Sequence, residues 1–517
     1  MCFLGPFRRI PQRYKKRSVT SILKALEHRG PLRGSDLARH LTSAGVGPAT
    51  ARKRIQRAMP PVHRLTRIRL PHNETFLYLA SQFQSPVFWE ALLAAFDTTG
   101  SAYGVAVRAI EGRGGVVEAR RFDVVSGSPL APLRGHATSA TIRRALEEVG
   151  MLRSVKIPSV GECLELVTMP VARNFGSIRA NALAEEILLA AVANWARDIG
   201  LVSYDKVATR GPQAVLPTMG KFGWDLSGPI YAKPFVSVRR TKPFPGFFVA
   251  DVALGSRLDL PHIRYFINKC IVQDSMKNRR PFMAALIAHD FAPDALREGK
   301  KSGVLMATPA ALLGTDVALA LRGLVDALTN AASRIRNDPE LLGQLFGRLG
   351  RIEGAAMNLR GPLFELIVAY SVGKLEPGEV DVGRLAVDPR NGETADIDVL
   401  RLVPGEAHCY ECRGKLADAD LRVDEVADWL ERQVPRMSAW LDSTHPNRTK
   451  LFELWTTARF ATEAIDYMRC RADMTKHYAL QWKDGPEVRQ FVERVRERRL
   501  VDALNEHFLR HPLVTRR

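Results

Sequence analysis

Cysteine is scarce: six residues among 517 (Cys2, Cys163, Cys270, Cys409, Cys412 and Cys470) are too scattered for a disulfide framework and point to a reducing, cytoplasmic setting. Long apolar runs are missing too. No stretch approaches the roughly 18 apolar residues of a membrane span, and the opening MCFLGPFRRIPQRYKKR lacks the apolar core of a secretory signal. No GxxxxGK[ST] phosphate loop occurs, so any ATP-driven step falls to a separate ATPase or motor subunit. Acidic residues are short in one region. Residues 1–70 hold seventeen Lys and Arg against two acids, Glu27 and Asp36, so +15 of the formal +20 lies there. The remaining composition, 46% hydrophobic and 25% charged, is globular and excludes wholesale disorder. At about 100–200 residues per domain, the length predicts three or four domains.

A local basic excess is the footprint of a polyanion, most often nucleic acid; the competing reading is a solvated basic face. The basic residues fall inside a foldable pattern. SVTSILKALEHRG (18–30) has helical apolar spacing and ends on Gly, PLRGSDLARHL predicts a short helix capped at Ser35 or Asp36, and GVGPATARKRIQRA predicts a third helix. VHRLTRIRL and TFLYLAS then alternate around PHNE, a hairpin signal. Three helices and a two-stranded wing resemble a winged helix-turn-helix domain, in which the third helix enters the major groove and the wing touches backbone. The DNA-binding candidates are Arg52, Lys53, Arg54 and Arg57 on that helix, Arg64, Arg67 and Arg69 in the wing, and Lys15, Lys16 and Arg17 in the N-terminal arm. PVFWEALLAAF, HATSATIRRALEEVGML and SVKIPSVGECLELVTM suggest a second winged helix over 83–172.

Near the other end, TADIDVLRLVPGEAHCYECRGK shows two alternating runs joined by VPGE. Counting outward from that turn sets Leu402 against Ala407, Asp398 against Glu411 and Asp396 against Arg413. Side chains so opposed lie about 5 Å apart at Cβ, where two carboxylates repel and call for a cation. A hard divalent ion, Mg²⁺ or Mn²⁺, suits carboxylates and phosphate oxygens. Asp396 with Arg413 also reads as a plain cross-strand ion pair. Upstream, GPLFELIVAYSVG is an apolar helix with one acid, Glu365, that needs a partner. Cys409 and Cys412 point to opposite faces of a strand and cannot chelate together.

This order of residues resembles the PD-(D/E)XK, or restriction-endonuclease-like, nuclease superfamily: a helix with Glu, a strand with Asp, a strand with Glu-x-Lys, then a helix and a strand. The resemblance covers about residues 345–485. It implies a metal-dependent phosphodiesterase in which Glu365, Asp398 and Glu411 hold Mg²⁺ or Mn²⁺. The chain departs from the pattern at the basic position, where Arg413 stands in place of lysine, and the nearest lysine is Lys415. Arginine stabilises charge but is a poor proton shuttle, which favours Lys415 for the basic role.

The middle region repeats the layout in part, with Glu185 and Glu186 on a helix, Asp225, and Asp251 ending a hydrophobic strand. Ala253 stands at the basic position, so Glu186, Asp225 and Asp251 form a degenerate second site, or the region is an unrelated α/β domain. The expected architecture is therefore multidomain α/β: a basic winged helix over 1–82, a second over 83–172, an α/β domain over 173–340 and a nuclease-like domain over 341–517. The expected function is a DNA endonuclease acting on duplex DNA, with prokaryotic restriction or anti-phage defence as the role and a homodimer as the form the resemblance implies. The alternative is a catalytically inactive DNA-binding regulator or assembly factor that keeps the nuclease fold as scaffold.

Overall fold

Apolar periodicity and turn residues resolve into a mixed α/β chain. The computed structural model describes residues 12–157, 160–169, 175–211, 215–239, 242–277, 279–329, 355–416 and 418–509; the expected boundaries at 172/173 and 340/341 lie outside them. Among the described residues no helix is long and apolar enough to cross a membrane.

Ile22, Ala25 and Leu26 give α1 (Gln12–Arg29) its buried face, and Gly30 ends it with φ 76°. β1 (Leu32–Arg33), α2 (Gly34–Ser43), α3 (Pro48–Gln56), β2 (Val62–Arg64) and β3 (Phe76–Leu79) follow. Leu37, Leu41, Ala51, Ile55, Val62 and Leu77 close the core over α1. Each fully buried aliphatic side chain of this kind contributes about 1.5–3 kcal/mol. α2 starts ahead of the expected cap, because Asp36 is taken by the Arg33 guanidinium at 2.7 and 2.9 Å instead of capping backbone. The hairpin strands are shorter than their alternation suggests. The chain between them passes through a turn at Pro71–Asn73, where His72 and Asn73 hold positive φ.

The order helix, strand, helix, helix, strand, strand then recurs. After α4 (Pro86–Thr99) come α5 (Ala102–Glu111), β4 (Val116–Glu118), α6 (Phe122–Val125), α7 (Ser139–Val149), β5 (Leu152–Ile157) and β6 (Gly161–Leu166). Both small sheets place the last strand in the centre, β1-β3-β2 and β4-β6-β5.

A second repeated order fills the rest of the chain. α8 (Phe175–Asp198) precedes β7 (Ala208–Thr209), β8 (Leu226–Ile230) and β9 (Gly246–Ala253); α9 (Leu260–Asp274), β10 (Phe282–Ala288), α10 (Pro293–Lys301) and β11 (Leu305–Ala307) follow, then α11 (Pro309–Leu313) and α12 (Thr315–Thr329). α13 (Ala355–Leu375) likewise precedes β12 (Glu379–Val387), β13 (Thr394–Val403) and β14 (Glu406–Arg413). α14 (Val423–Asp428) and α15 (Val434–Thr444) lead to β15 (Thr449–Thr456), α16 (Thr462–Met474) to β16 (Ala479–Lys483), and α17 (Gly485–Glu493) and α18 (Arg498–Leu504) end the series. Both five-stranded sheets run in sequence order, with two antiparallel pairings followed by two parallel ones. The sequence did not announce the edge strands β12 and β16.

One apolar cluster joins the two sheets through α8, α12 and α13, with Leu188, Val192, Phe248, Ile287, Leu363, Ile367, Val399 and Tyr410 among its members. Another packs α4, α5 and α7 against α9, β9 and β10. The far side of the second sheet is covered by α14, α15 and α16.

Candidate active site

The VPGE turn fixes the register of β13 and β14. Leu402 pairs with Ala407 and Val399 with Tyr410, so the next step outward sets Asp398 against Glu411. The Asp398 Oδ2 atom accepts the backbone N–H of Cys412 at 2.8 Å, which holds the carboxylate across the strand pair. α13 brings in Glu365, and the strands add Asp396 and Arg413. These side chains line a cleft of about 440 Å³, whose other wall is α8 with Arg179 and Glu186. Between α14 and α15 the helix loosens into a π turn, Trp429–Gln433, and Gln433 joins the cleft lining. Such turns recur at functional sites.

Glu365, Asp396, Asp398 and Glu411 are 3%, 6%, 8% and 6% exposed, so water screens none of them well. Burial pushes the Glu411 carboxyl up to about 8 against the pull of Arg413, and Asp398, Asp396 and Glu365 add to the rise. Burial likewise pushes Glu365 up to about 8, opposed by Arg179 and reinforced by Asp398 and Asp396. Asp398 is raised by burial as well. Among the described residues two guanidiniums, those of Arg179 and Arg413, lie against these four carboxyls. Arg413 Nη2 lies 2.8 Å from Glu411 Oε1, while Arg179 hydrogen-bonds Glu365 and lies 3.6 Å from Asp396 Oδ2. Among the described residues the buried Glu365 Oε2 accepts no hydrogen bond.

The oxygen-only donors suit Mg²⁺ or Mn²⁺. Among the described residues no three His, Cys, Asp or Glu side chains stand ready-made as a coordination sphere. Glu365, Asp398 and Glu411 are oxygen donors of the type a divalent ion takes, lining one cleft without being grouped around a point.

Lys415 does not line the cleft. The chain leaves the sheet after Arg413, and Gly414 presses so close to α13 that an added Cβ would lie 2.6 Å from the Arg360 carbonyl oxygen. Thr457 then holds the Lys415 backbone, and its ammonium is bound by Glu425 at 2.6 and 2.7 Å. Arg413 is the strand cation that reaches the carboxylates. It pairs with Glu411 and not, as the strand count suggested, with Asp396, beside which Arg179 stands. Cys409 and Cys412 are free and buried in different apolar clusters, consistent with opposite faces.

The middle sheet holds the same constellation in a sealed form. Leu226 pairs with Ala250, so Asp225 and Asp251 face each other as Asp398 and Glu411 do, and Asp225 Oδ2 accepts the Val252 N–H at 2.9 Å. The helix acid is Glu185 and not the expected Glu186. Adjacent helical residues point about 100° apart, which sends Glu185 into this cluster, where it accepts the Leu254 N–H at 2.8 Å, and Glu186 into the cleft beyond.

Every acid of this cluster has a buried cation. Arg121 hydrogen-bonds Glu185 and reaches Asp225 at 3.0 Å, Arg210 lies 2.8 Å from Asp225, and Lys269 lies 2.7 Å from Asp251. Burial alone would raise Asp225, yet Arg121 and Arg210 hold it well below the usual carboxylate range. Asp251 and Lys269 are both 0% exposed, and burial pushes the acid up and the amine down. With its charges internally matched, this copy is a closed structural knot.

At the N-terminus, Ala51 and Ile55 bury one side of α3 and leave Arg52, Lys53 and Arg57 exposed, with Arg54 half-buried; Arg69 is exposed as well. Arg64 has a structural partner: its guanidinium donates to the Ile55 and Gln56 carbonyls at the end of α3. Arg67 lies 3.3 Å from Glu148 on α7, linking the two small units. Lys15, Lys16 and Arg17 are in the opening turns of α1, but their side chains lie outside the described residues.

Sequence reasoning missed Arg179, Arg121, Arg210 and Lys269. Each meets its acid from a distant part of the chain or from the next helix, where no local spacing marks it. No family model, no curated protein and no solved structure matches this chain.

Proposed function

We propose that the chain is a metal-dependent nuclease that hydrolyses phosphodiester bonds of DNA in the cleft between α8 and the second five-stranded sheet, in prokaryotic restriction or anti-phage defence. One observation carries this reading. Acids from a helix and two neighbouring strands, Glu365, Asp398 and Glu411, line one open cleft, while their counterparts in the middle sheet are buried against Arg121, Arg210 and Lys269. A divalent ion held by these three carboxylates would polarise the scissile phosphate and lower the pKa of an attacking water.

The chain's own groups do the rest. Asp398 is held by the Cys412 N–H, so one carboxylate stays fixed. Arg413 spreads positive charge toward the developing negative oxygens. Because a guanidinium does not give up its proton, solvent handles both transfers: the attacking water loses a proton to solvent as its oxygen bonds to phosphorus, and the leaving oxygen takes one from solvent as the ester P–O bond breaks. Binding falls to the N-terminal unit, read as a winged helix with the exposed Arg52, Lys53 and Arg57 toward the phosphates.

The deciding experiment incubates the full chain with supercoiled plasmid, single-stranded DNA and RNA in Mg²⁺, Mn²⁺ or EDTA, beside Glu411→Ala. Cleavage that needs metal and Glu411 supports the proposal. Tight, salt-sensitive binding without cleavage under any condition favours the second reading, an inactive DNA-binding scaffold, for which the Arg413 ion pair on Glu411 speaks.

A further inference from the structure

We propose that Arg179, contributed by the middle unit's helix α8, is a phosphate-binding residue of the carboxylate cleft: it pairs with Glu365 and Asp396 in the metal-free chain and would turn to a substrate phosphate once a divalent cation is held by Glu365 in its place. The inference deepens the nuclease reading and rests on it for the identity of the substrate.

Two arginines in the molecule do comparable things in different settings. Arg121 bridges the helix acid and strand acid of the middle copy, donates to the Val252 carbonyl as well, and is surrounded by Arg210 and Lys269, so nothing frees it. Arg179 bridges the helix acid Glu365 and the strand acid Asp396, but its hydrogen bond to Glu365 is its only one among the described residues. Its side chain is 13% exposed and lines the open cleft. Among the described residues the other four guanidinium N–H donors make no hydrogen bond, Nη1 lying 3.6 Å from Asp396 Oδ2.

Charge sets the order of events. A phosphodiester anion entering a cleft lined by Glu186, Glu365, Asp396, Asp398 and Glu411 is repelled unless a cation arrives first. A cation held by Glu365 would release Arg179 from its hydrogen bond to that acid, within the same cleft. A planar fork then fits two phosphate oxygens, which an ammonium cannot do. The cleft is accordingly incomplete without the middle unit: the second sheet supplies the acids, and α8 supplies a cation for the substrate.

The test uses the full chain and two probes, Mn²⁺ alone and inorganic phosphate titrated into the Mn²⁺-loaded protein, with wild type, Arg179→Ala, Arg179→Lys and Glu411→Ala compared by calorimetry. Arg179→Ala is expected to bind Mn²⁺ as tightly as wild type or more tightly, and to bind phosphate about 10- to 100-fold more weakly, the factor carried by one charge-assisted hydrogen-bonded contact. Arg179→Lys should fall between, and it carries the test if the alanine variant does not fold. Loss of Mn²⁺ binding in Arg179→Ala, as in Glu411→Ala, overturns the proposal in favour of a scaffold role. Unchanged phosphate affinity in Arg179→Ala, or no phosphate binding by the loaded wild type, overturns it too. If the wild type binds both probes through Arg179 yet cleaves no nucleic acid, the phosphate site stands and the hydrolytic reading falls.

Discussion

Asp398 and Asp225 stand at the same point of two copies of one topology. Each carboxylate accepts the backbone N–H of the residue after the acid it faces, Cys412 at 2.8 Å and Val252 at 2.9 Å. Local geometry is shared; the supply of cations is not. Asp225 lies under Arg121 and Arg210, whereas Asp398 lines an open cleft. Substitutions in the two places should therefore act on different observables.

In the cleft, Asp398→Ala and Glu411→Ala should each lower cleavage by at least about 100-fold, the scale on which loss of one electrostatic stabiliser is felt. Duplex affinity, read by fluorescence anisotropy in EDTA, should stay as in wild type. Loss of binding alongside cleavage would refute the separation of binding and cutting between the two ends of the chain.

In the sealed copy, Lys269→Met leaves Asp251 buried and unpaired and should destabilise the fold by about 3–5 kcal/mol. Urea denaturation checks the loss, and cleavage per folded molecule should be unaffected. If Lys269→Met unfolded with the wild-type midpoint, the cluster would not be structural.

Acidity gives a prediction with a definite sign. Glu365 and Glu411 are raised to about 8 in the folded chain from an ordinary 4.5. Between those values the folded state binds more protons than the unfolded state, so these groups' contribution to stability falls as pH rises from about 4.5 through about 8. The melting temperature in EDTA should drop across that window, and Glu411→Gln should flatten the drop. Mn²⁺ should restore more stability at about pH 9 than at about pH 6, where it must displace bound protons. A melting temperature that is flat with pH in EDTA would contradict the raised values.

At the N-terminus, Arg52→Ala, Lys53→Ala and Arg57→Ala should weaken DNA binding alike on all sequences and each reduce the salt dependence of the affinity by about 0.9 log units per log unit of salt. Arg64→Ala should behave differently. It frees the Ile55 and Gln56 carbonyls at the end of α3, so its main effect should be on melting of the N-terminal unit.

The legible and illegible parts of this molecule divide along a physical line. VPGE fixes a hairpin register locally, so the opposition of Asp398 and Glu411 could be counted from the turn, and the observed pairing of Leu402 with Ala407 is the counted one. Helical spacing located α1, α3, α7 and α13 for the same reason: the signal is periodic and lies within the element. Lys415 was misplaced because strand alternation was carried past Arg413, where the close approach of Gly414 to Arg360 ends the sheet. Glu185 and Glu186 could not be told apart, since which one meets Asp225 depends on how α8 is rotated against β8 and β9. Arg179 and Arg121 were invisible. Their partners lie 186 and 64 residues away, and contacts over such separations leave no local pattern.

The shared apolar cluster around α8 and α13 bears on how such a chain can be taken apart. A fragment cut between them would expose Leu188 and Val192 on one piece and Leu363 and Ile367 on the other, and it would strip the cleft of the wall that carries Arg179. Neither half is a portable cassette. Any recombination event that moves the second sheet into a new gene must carry the first along to keep this core covered, and that makes the pair, not the single sheet, the unit of inheritance.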